Sequence, residues 1–230
     1  MGIRETFSVR AYLVVGPENT QGRPVGDIVA AALAAGFTCV QVRSKVASAR
    51  ELIDLCGEAA AAIEAAGKAD TVPLLVDDRL DVVLAARAEG IKVDGVHVGQ
   101  SDIPVDVCRR YVGPDGIVGL SARAHEMLSY IQQADVSDVD YFGVGPLHET
   151  ATKPDCGRDE DGTVIVRTLA DIEELCRVSP VPVVVGGGVK ALDVPALSRT
   201  GAAGFFVVSA VCGADDLRAA AEELVSAWEG

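Results

Sequence analysis

Short apolar runs alternate with Ala-rich amphipathic segments along the whole chain. The runs lie at 11–15, 39–42, 72–76, 95–98, 117–120, 141–144, 181–185 and 204–208. Each is short, rich in Val, Leu or Ile and bounded by turn residues, which reads as a strand buried on both faces. Between them, the spacing of apolar positions predicts helices over 25–35, 48–66, 79–88, 103–111, 123–134, 164–177, 190–199 and 214–228. Eight strand–helix units come to about 29 residues each, near the size expected of a (β/α)₈ TIM barrel. Strands that alternate with helices pair in parallel through right-handed crossovers. No linker or low-complexity tract interrupts the pattern, so residues 1–230 read as a single (β/α)₈ domain. The competing architecture is an open doubly wound sheet. It is disfavoured because Gly16-Pro17, and no GxGxxG, follows the first run.

Composition narrows this further. Apolar residues make up 49% of the chain and aromatics only 4%, so the core is built of Val, Leu, Ile and Ala. A net charge of −14 argues against nucleic acid, whose phosphates require a basic face, and against an anionic membrane surface. An anionic ligand would have to be held locally, by a few cations, a metal or backbone N–H groups. The six cysteines (39, 56, 108, 156, 176 and 212) form no CxxC pair, so a zinc site or disulfide framework is not expected. Neither a signal-like N-terminus nor a bilayer-spanning apolar run is present, and the default expectation is a soluble cytoplasmic protein. A homo-oligomer is compatible with the sequence.

In a barrel of this kind the chemistry lies on loops after the strands. Strand two leads into Gln41, Arg43 and Lys45, which share a face if the extended form persists. An amide and two cations suit a phosphate or diphosphate; the plainer alternative is an exposed basic loop. Strand three is followed by Asp77-Asp78-Arg79, and strand four by Gly99-Gln100-Ser101-Asp102. Neighbouring strands lie only about 4.8 Å apart, so Asp78 and Asp102 come together and would need a cation. Mg²⁺ held by one or two carboxylates plus substrate phosphate is the usual solution, whereas either Asp alone could be a helix cap.

Ser121 follows strand five, as either a site residue or an N-cap. Gly186-Gly187-Gly188 follows strand seven, where glycines opening a helix let backbone N–H groups approach an anion. Ser209 follows strand eight. After strand six comes the long polar stretch 140–162, carrying Thr150, Thr152 and Lys153 between Gly-Pro and later glycines. A loop of this length is usually functional or disordered; it could close over an anion or lie as a solvated surface loop. His97, inside strand four, reads as a hydrogen-bonded interior residue. His125 reads as a surface position, and His148 could touch a ligand. No Ser-His-Asp or Cys-His arrangement can be assembled.

With these residues in view, the chain resembles the thiamine-phosphate synthase family over essentially its whole length. The matching pieces are VQVRSK (40–45), DDRLDVVLAARAEG (77–90), DGVHVGQSD (94–102), GLSA (119–122), DYFGVGPLHETATKPD (140–155), VVVGGGV (183–189) and AGFFVVSAV (203–211). The set in this order is specific, although no single piece is. The resemblance implies a (β/α)₈ enzyme that joins hydroxymethylpyrimidine diphosphate to thiazole phosphate, with Mg²⁺ as cofactor and diphosphate released. It places Gln41, Arg43 and Lys45 on the pyrimidine diphosphate and Asp78 and Asp102 on Mg²⁺. Ser121 would lie beside the pyrimidine. Thr150 and Thr152 would face the thiazole phosphate, and Lys153 the diphosphate. Gly187 or Gly188, with Ser209, would cradle the thiazole phosphate. Arg43, Lys45, Ser121 and Lys153 are the residues implied to act in catalysis.

Some positions depart from the family pattern. Asp77 stands at a diphosphate contact where Asn is usual, and it is expected to turn toward the metal side or be shielded by it. His148-Glu149 replaces a common aromatic-Pro pair, extra residues enter at 91–93, and an acidic patch at 159–161 extends the long loop. Two other functions share the fold: a thiazole tautomerase-like isomerase and a non-catalytic phosphate-binding barrel. The tautomerase would have no use for Arg43, Lys45, Asp78 and Asp102. The loop threonines and lysine weigh, less strongly, against the non-catalytic barrel.

Overall fold

A computed structural model describes residues 2–121, 136–149 and 165–229. Eight parallel strands close into a barrel in sequence order. They are β1 (Ala11–Val15), β2 (Cys39–Val42), β3 (Leu74–Asp77), β4 (Gly95–Val98), β5 (Ile117–Ser121), β6 (Tyr141–Val144), β7 (Val183–Val185) and β8 (Gly204–Val207). The barrel closes through β1 and β8, with Tyr12 opposite Phe206. Nearly every strand residue is buried, because helices cover the outside and side chains fill the inside. That explains why the strands read as unbroken apolar runs and do not alternate with polar residues.

Among the described residues the helices are α1 (Ile3–Thr6), α2 (Val25–Ala35), α3 (Ala49–Ala65), α4 (Leu80–Ala88), α5 (Val105–Val112), α6 (Leu169–Val178), α7 (Val194–Leu197), α8 (Ser209–Cys212) and α9 (Leu217–Glu229). Ser48 starts α3 through a capping box with Glu51, and Thr168 starts α6 through one with Asp171. The second box explains why the helix expected over 164–177 begins only at Leu169. The helix expected over 190–199 is a 3₁₀ turn (Ala191–Asp193) followed by the four-residue α7. The short α1 and α8 were not legible, being too brief to show a period. The helix expected over 123–134 lies outside the described residues. No helix among the described residues is long and apolar enough to cross a membrane.

Two cores result. The larger packs the outward faces of the strands against the helices, through residues such as Leu13, Val40, Ile28 and Leu52. The smaller fills the barrel with Tyr12, Val14, Cys39, Leu75, Ile117, Tyr141 and Val184. Each fully buried Val, Leu or Ile contributes roughly 1.5–3 kcal/mol relative to leaving it exposed, so both layers hold the strand ends rigidly. At the bottom, Phe7 lies against Tyr141 with ring centroids 6.2 Å apart. There Asp140 accepts from Arg4 at 2.7 Å and from Arg109 at 2.5 Å. The extra residues at 91–93 also enter at this end, just before β4, away from the strand C-termini.

Candidate active site

The C-terminal ends of β2, β3 and β4 build one charged cluster. Extended pairing runs past the end of β2, since Arg43 N–H donates to the Val15 carbonyl at 2.8 Å. Gly16 permits this approach: a Cβ there would sit 1.6 Å from the Arg43 carbonyl oxygen. Gln41, Arg43 and Lys45 therefore converge, and they converge on Asp77. Gln41 Nε2 donates to Asp77 Oδ1 at 3.3 Å. Arg43 Nε and Lys45 Nζ lie 3.1 and 3.4 Å from Asp77 Oδ2. Those two contacts are charge–charge pairs, since neither is aligned as a hydrogen bond to that oxygen. Asp77 is 5% exposed and Gln41 4%, so the pairing is poorly screened.

Lys45 also contacts the Asp78 carboxylate. Burial works to lower the Lys45 pKa, but Asp78 and Asp77 outweigh it and the net shift is upward. Asp78 has a left-handed backbone, φ 59°, which is uncommon outside glycine and collects at functional sites. Its side chain reaches Asp102, whose carboxyl pKa is raised. Burial is the main cause, with Asp78 adding to it against the pull of the Gly99 N–H. Neither carboxylate caps a helix: the residues before α4 and α5 are Arg79 and Pro104, and neither helix has a side-chain cap. Asp102 Oδ2 accepts instead from Gly99 N–H at 2.8 Å. Two carboxylates that repel one another at a strand-end rim are what a divalent cation would relieve. Among the described residues no group of three or more acidic, His or Cys side chains could hold a metal alone. A cation here would therefore need further oxygens from a ligand, the habit of Mg²⁺.

Glu18 was not singled out by sequence. Its Oε1 accepts from Ser44 Oγ at 2.8 Å and from Lys45 N–H at 2.9 Å, which shapes the turn that aims Lys45. Burial tends to raise the Glu18 pKa, but these donors and its own N–H lower it overall.

Beside this cluster a pocket opens into the barrel, about 920 Å³ with its mouth included. Gln41, Arg43, Asp77, His97 and Ser121 line one side, and Gly187, Gly188 and Ser209 the other. Val14, Val144, Val184 and Phe206 form an apolar wall between them. Lys45, Asp78 and Asp102 do not line the pocket; they join it through Asp77. Inside, His97 Nε2 is 2.7 Å from Ser121 Oγ and Nδ1 is 2.8 Å from the Tyr141 hydroxyl. Tyr141 in turn is 2.9 Å from the Tyr12 hydroxyl. Two tyrosines inside otherwise apolar strand runs were the signal available in the sequence, because a buried hydroxyl needs a partner.

On the far side, Gly187 and Gly188 have φ of 80° and 77°. Their carbonyl side serves the chain after β6: Leu147 and His148 N–H both donate to the Gly187 carbonyl at 3.0 Å. Among the described residues no backbone carbonyl accepts from the Gly187 or Gly188 N–H, and both glycines face the pocket. The glycine triplet does not open a helix, contrary to expectation; the 3₁₀ turn begins at Ala191. Any anion held here would meet a glycine turn and the start of the short α8. His148 does not turn to the pocket. Its Nε2 lies 3.0 Å from Asp193 Oδ2, on the other side of the glycine turn. Thr150, Thr152, Lys153, Cys156 and His125 lie outside the described residues.

A family model described as thiamine monophosphate synthase matches residues 11–211. The chain belongs to the thiamine monophosphate synthase family. A thiamine-phosphate synthase of Corynebacterium efficiens is 38% identical over 227 residues, covering 98% of both chains. One from Chloroflexus aurantiacus is 39% identical over 226 residues, 97% of this chain and 94% of that one. Among solved structures, a thiamine phosphate pyrophosphorylase from Pyrococcus furiosus has a TM-score of 0.76 at 28% identity, covering 96% of both chains. A 3-hexulose-6-phosphate synthase from Salmonella typhimurium, TM-score 0.66 at 14% identity, shares the fold alone. As a member of the synthase family the chain is an enzyme, a transferase of thiamine biosynthesis.

Proposed function

We propose that this barrel joins hydroxymethylpyrimidine diphosphate to thiazole phosphate, giving thiamine phosphate and diphosphate. The observation that carries the reading is the cluster of Arg43, Lys45, Asp78 and Asp102, joined through Asp77 to one side of a pocket whose opposite side is a glycine turn. Two anionic substrates need two separate anion sites, and the apolar wall between the rims suits the rings they carry. In the reaction, the bond from the pyrimidine methylene carbon to diphosphate oxygen breaks, and its electron pair leaves with diphosphate. The ring's amino group feeds electrons toward the methylene as positive charge develops. The thiazole nitrogen then gives its lone pair to that carbon, forming the carbon–nitrogen bond. No protein nucleophile is required, in keeping with the absence of any triad from the sequence.

Arg43, largely buried, and Lys45, half exposed, neutralise the leaving diphosphate. Asp77, itself held by the Gln41 amide, pairs with Arg43. Asp78 and Asp102 would hold Mg²⁺, which when bound supplies further positive charge to the diphosphate oxygens. Ser121 stands at the pocket wall for the pyrimidine, and Gly187, Gly188 and Ser209 receive the thiazole phosphate. From beyond the described residues, Thr150 and Thr152 serve the thiazole phosphate and Lys153 the diphosphate. A tautomerase reading leaves the whole Arg43–Asp102 cluster without a task. Cys39, Cys56, Cys108, Cys176 and Cys212 are free thiols, which fits a reducing compartment such as the cytoplasm.

The test is direct. Both substrates are mixed with the purified chain, with and without Mg²⁺, and diphosphate is measured. Release that needs both substrates and the metal supports the reading. No release under any condition removes it.

A further inference from the structure

We propose that His97 is a positioning residue for the reaction: it orients the Ser121 hydroxyl at the pocket wall, and Tyr141 holds the imidazole in the orientation that does so. This rests on the synthase reading above.

His97 is 8% exposed, and in register it lies opposite Asp77 on β3 and Gly119 on β5. Both ring nitrogens meet hydroxyls, Tyr141 at 2.8 Å and Ser121 at 2.7 Å. The seat for the ring is built from glycine. A Cβ on Gly119 would lie 2.5 Å from His97 Nδ1 and 2.3 Å from the Tyr141 hydroxyl. A Cβ on Gly143 would lie 2.9 Å from His97 Cε1. Any other residue at either position would push the imidazole off Ser121. The two rings stack with centroids 5.4 Å apart and planes at 33°, so His97 cannot swing without moving Tyr141.

Behind Tyr141 the hydrogen-bonded chain runs to Tyr12 and on to the buried Cys39 thiol, and in front of His97 it reaches Ser121 at the pocket wall. Tyr12 and Tyr141 are fully buried and their pKa values are raised well above the ordinary tyrosine value, chiefly by burial. Each therefore keeps one proton and passes one hydrogen bond along. A neutral imidazole donates from one nitrogen and accepts at the other. If Tyr141 donates to Nδ1, Nε2 donates to Ser121 and the serine proton points into the pocket. If Tyr141 accepts from Nδ1, Nε2 takes the serine proton and Ser121 offers lone pairs to the pocket. In both cases the direction of the Ser121 hydroxyl is set from behind, by the hydrogen bonds of the barrel core.

The experiment is a double-mutant cycle on diphosphate release by the full chain, with kcat and KM measured for both substrates. The variants are Ser121→Ala, His97→Leu, the pair together, and His97→Gln, whose amide reaches toward the Nε2 position. Tyr141→Phe keeps the ring and removes only the hydroxyl, so it carries the same cycle if His97→Leu does not fold. We expect each single change at 97 or 121 to lower kcat at least tenfold, with both KM values within about threefold of wild type. The double variant should be no worse than about threefold below the poorer single, because residues that act as a unit are not additive. His97→Gln should recover part of the loss. Tyr141→Phe should lower kcat when Ser121 is present and not in the Ser121→Ala background. Losses that multiply, or a folded His97→Leu with wild-type kcat, overturn the proposal and leave the synthase reading intact. Wild-type chain that releases no diphosphate overturns both.

Discussion

Arg43 and Asp77 form a buried ion pair, Nε to Oδ2 at 3.1 Å, at the place on the guanidinium that an incoming anion needs. Asp77 turns toward Arg43 and Lys45, with Lys45 linking it to Asp78. A carboxylate about 4 Å from a phosphate oxygen costs roughly 4 kcal/mol at an effective dielectric near 20. Here the two cations and the Gln41 amide offset that charge before substrate arrives. Asp77→Asn removes the competing charge and keeps the shape. We predict near-normal kcat and an equal or lower KM for the diphosphate substrate. A fall in kcat/KM beyond about tenfold, or ~1.4 kcal/mol, would assign the carboxylate a positive role.

Asp78 and Asp102 differ from Asp77 in having each other as neighbours. Asp78→Ala or Asp102→Ala should abolish Mg²⁺-dependent turnover while leaving the thermal midpoint within a few degrees of wild type, as neither side chain caps a helix. Titrating Mg²⁺ against diphosphate release in each variant checks this. Unchanged metal dependence in both variants would remove the assignment.

Glu18 shapes the turn that carries Lys45. Glu18→Gln should raise KM for the diphosphate substrate several-fold and lower stability at neutral pH. The sign of the pH dependence follows from the lowered pKa of the folded state. Ionised Glu18 favours folding, so its contribution is present above the unfolded pKa and is lost as pH falls through the folded one. The difference in urea midpoint between wild type and variant should therefore shrink as the pH falls below the ordinary glutamate range. A gap that widens in acid would contradict the assignment.

Gly187 has no room for a side chain. Its φ is positive, and a Cβ would come 2.6 Å from Pro146 Cα. Gly187→Ala must strain the backbone or push back the chain leaving β6. We expect a loss of about 1–3 kcal/mol in stability and a raised KM for the thiazole phosphate, with KM for the diphosphate substrate little changed. Equal effects on the two KM values would mean that the glycine turn does not serve one substrate.

The barrel and its eight strands were legible in the sequence because burial on both faces leaves contiguous Val, Leu and Ile, and because eight such runs recur at regular spacing; the strand ends were less so, since β3 runs on to Asp77 and β5 to Ser121, polar residues that the apolar pattern placed after the strands. Gln41, Arg43 and Lys45 were legible as a set, since alternate positions of an extended chain share a face. Helix boundaries were less so: Thr168 and Asp171 delay α6, and the segment 190–199 follows a glycine turn and contains Pro195, leaving only a 3₁₀ turn and one α-helical turn. What the sequence could not contain is distance between strands. His97 meets Ser121 and Tyr141 across 24 and 44 residues of chain, and Asp77 meets Gln41 across 36. Those meetings depend on register, with Val42 opposite Val76 and Asp77 opposite His97, and a one-residue slip would turn each side chain out of the barrel. Hydrophobic periodicity determined which elements exist, because it is a local property of the chain. The partners of each polar side chain were decided only when closure of the barrel set eight strands side by side.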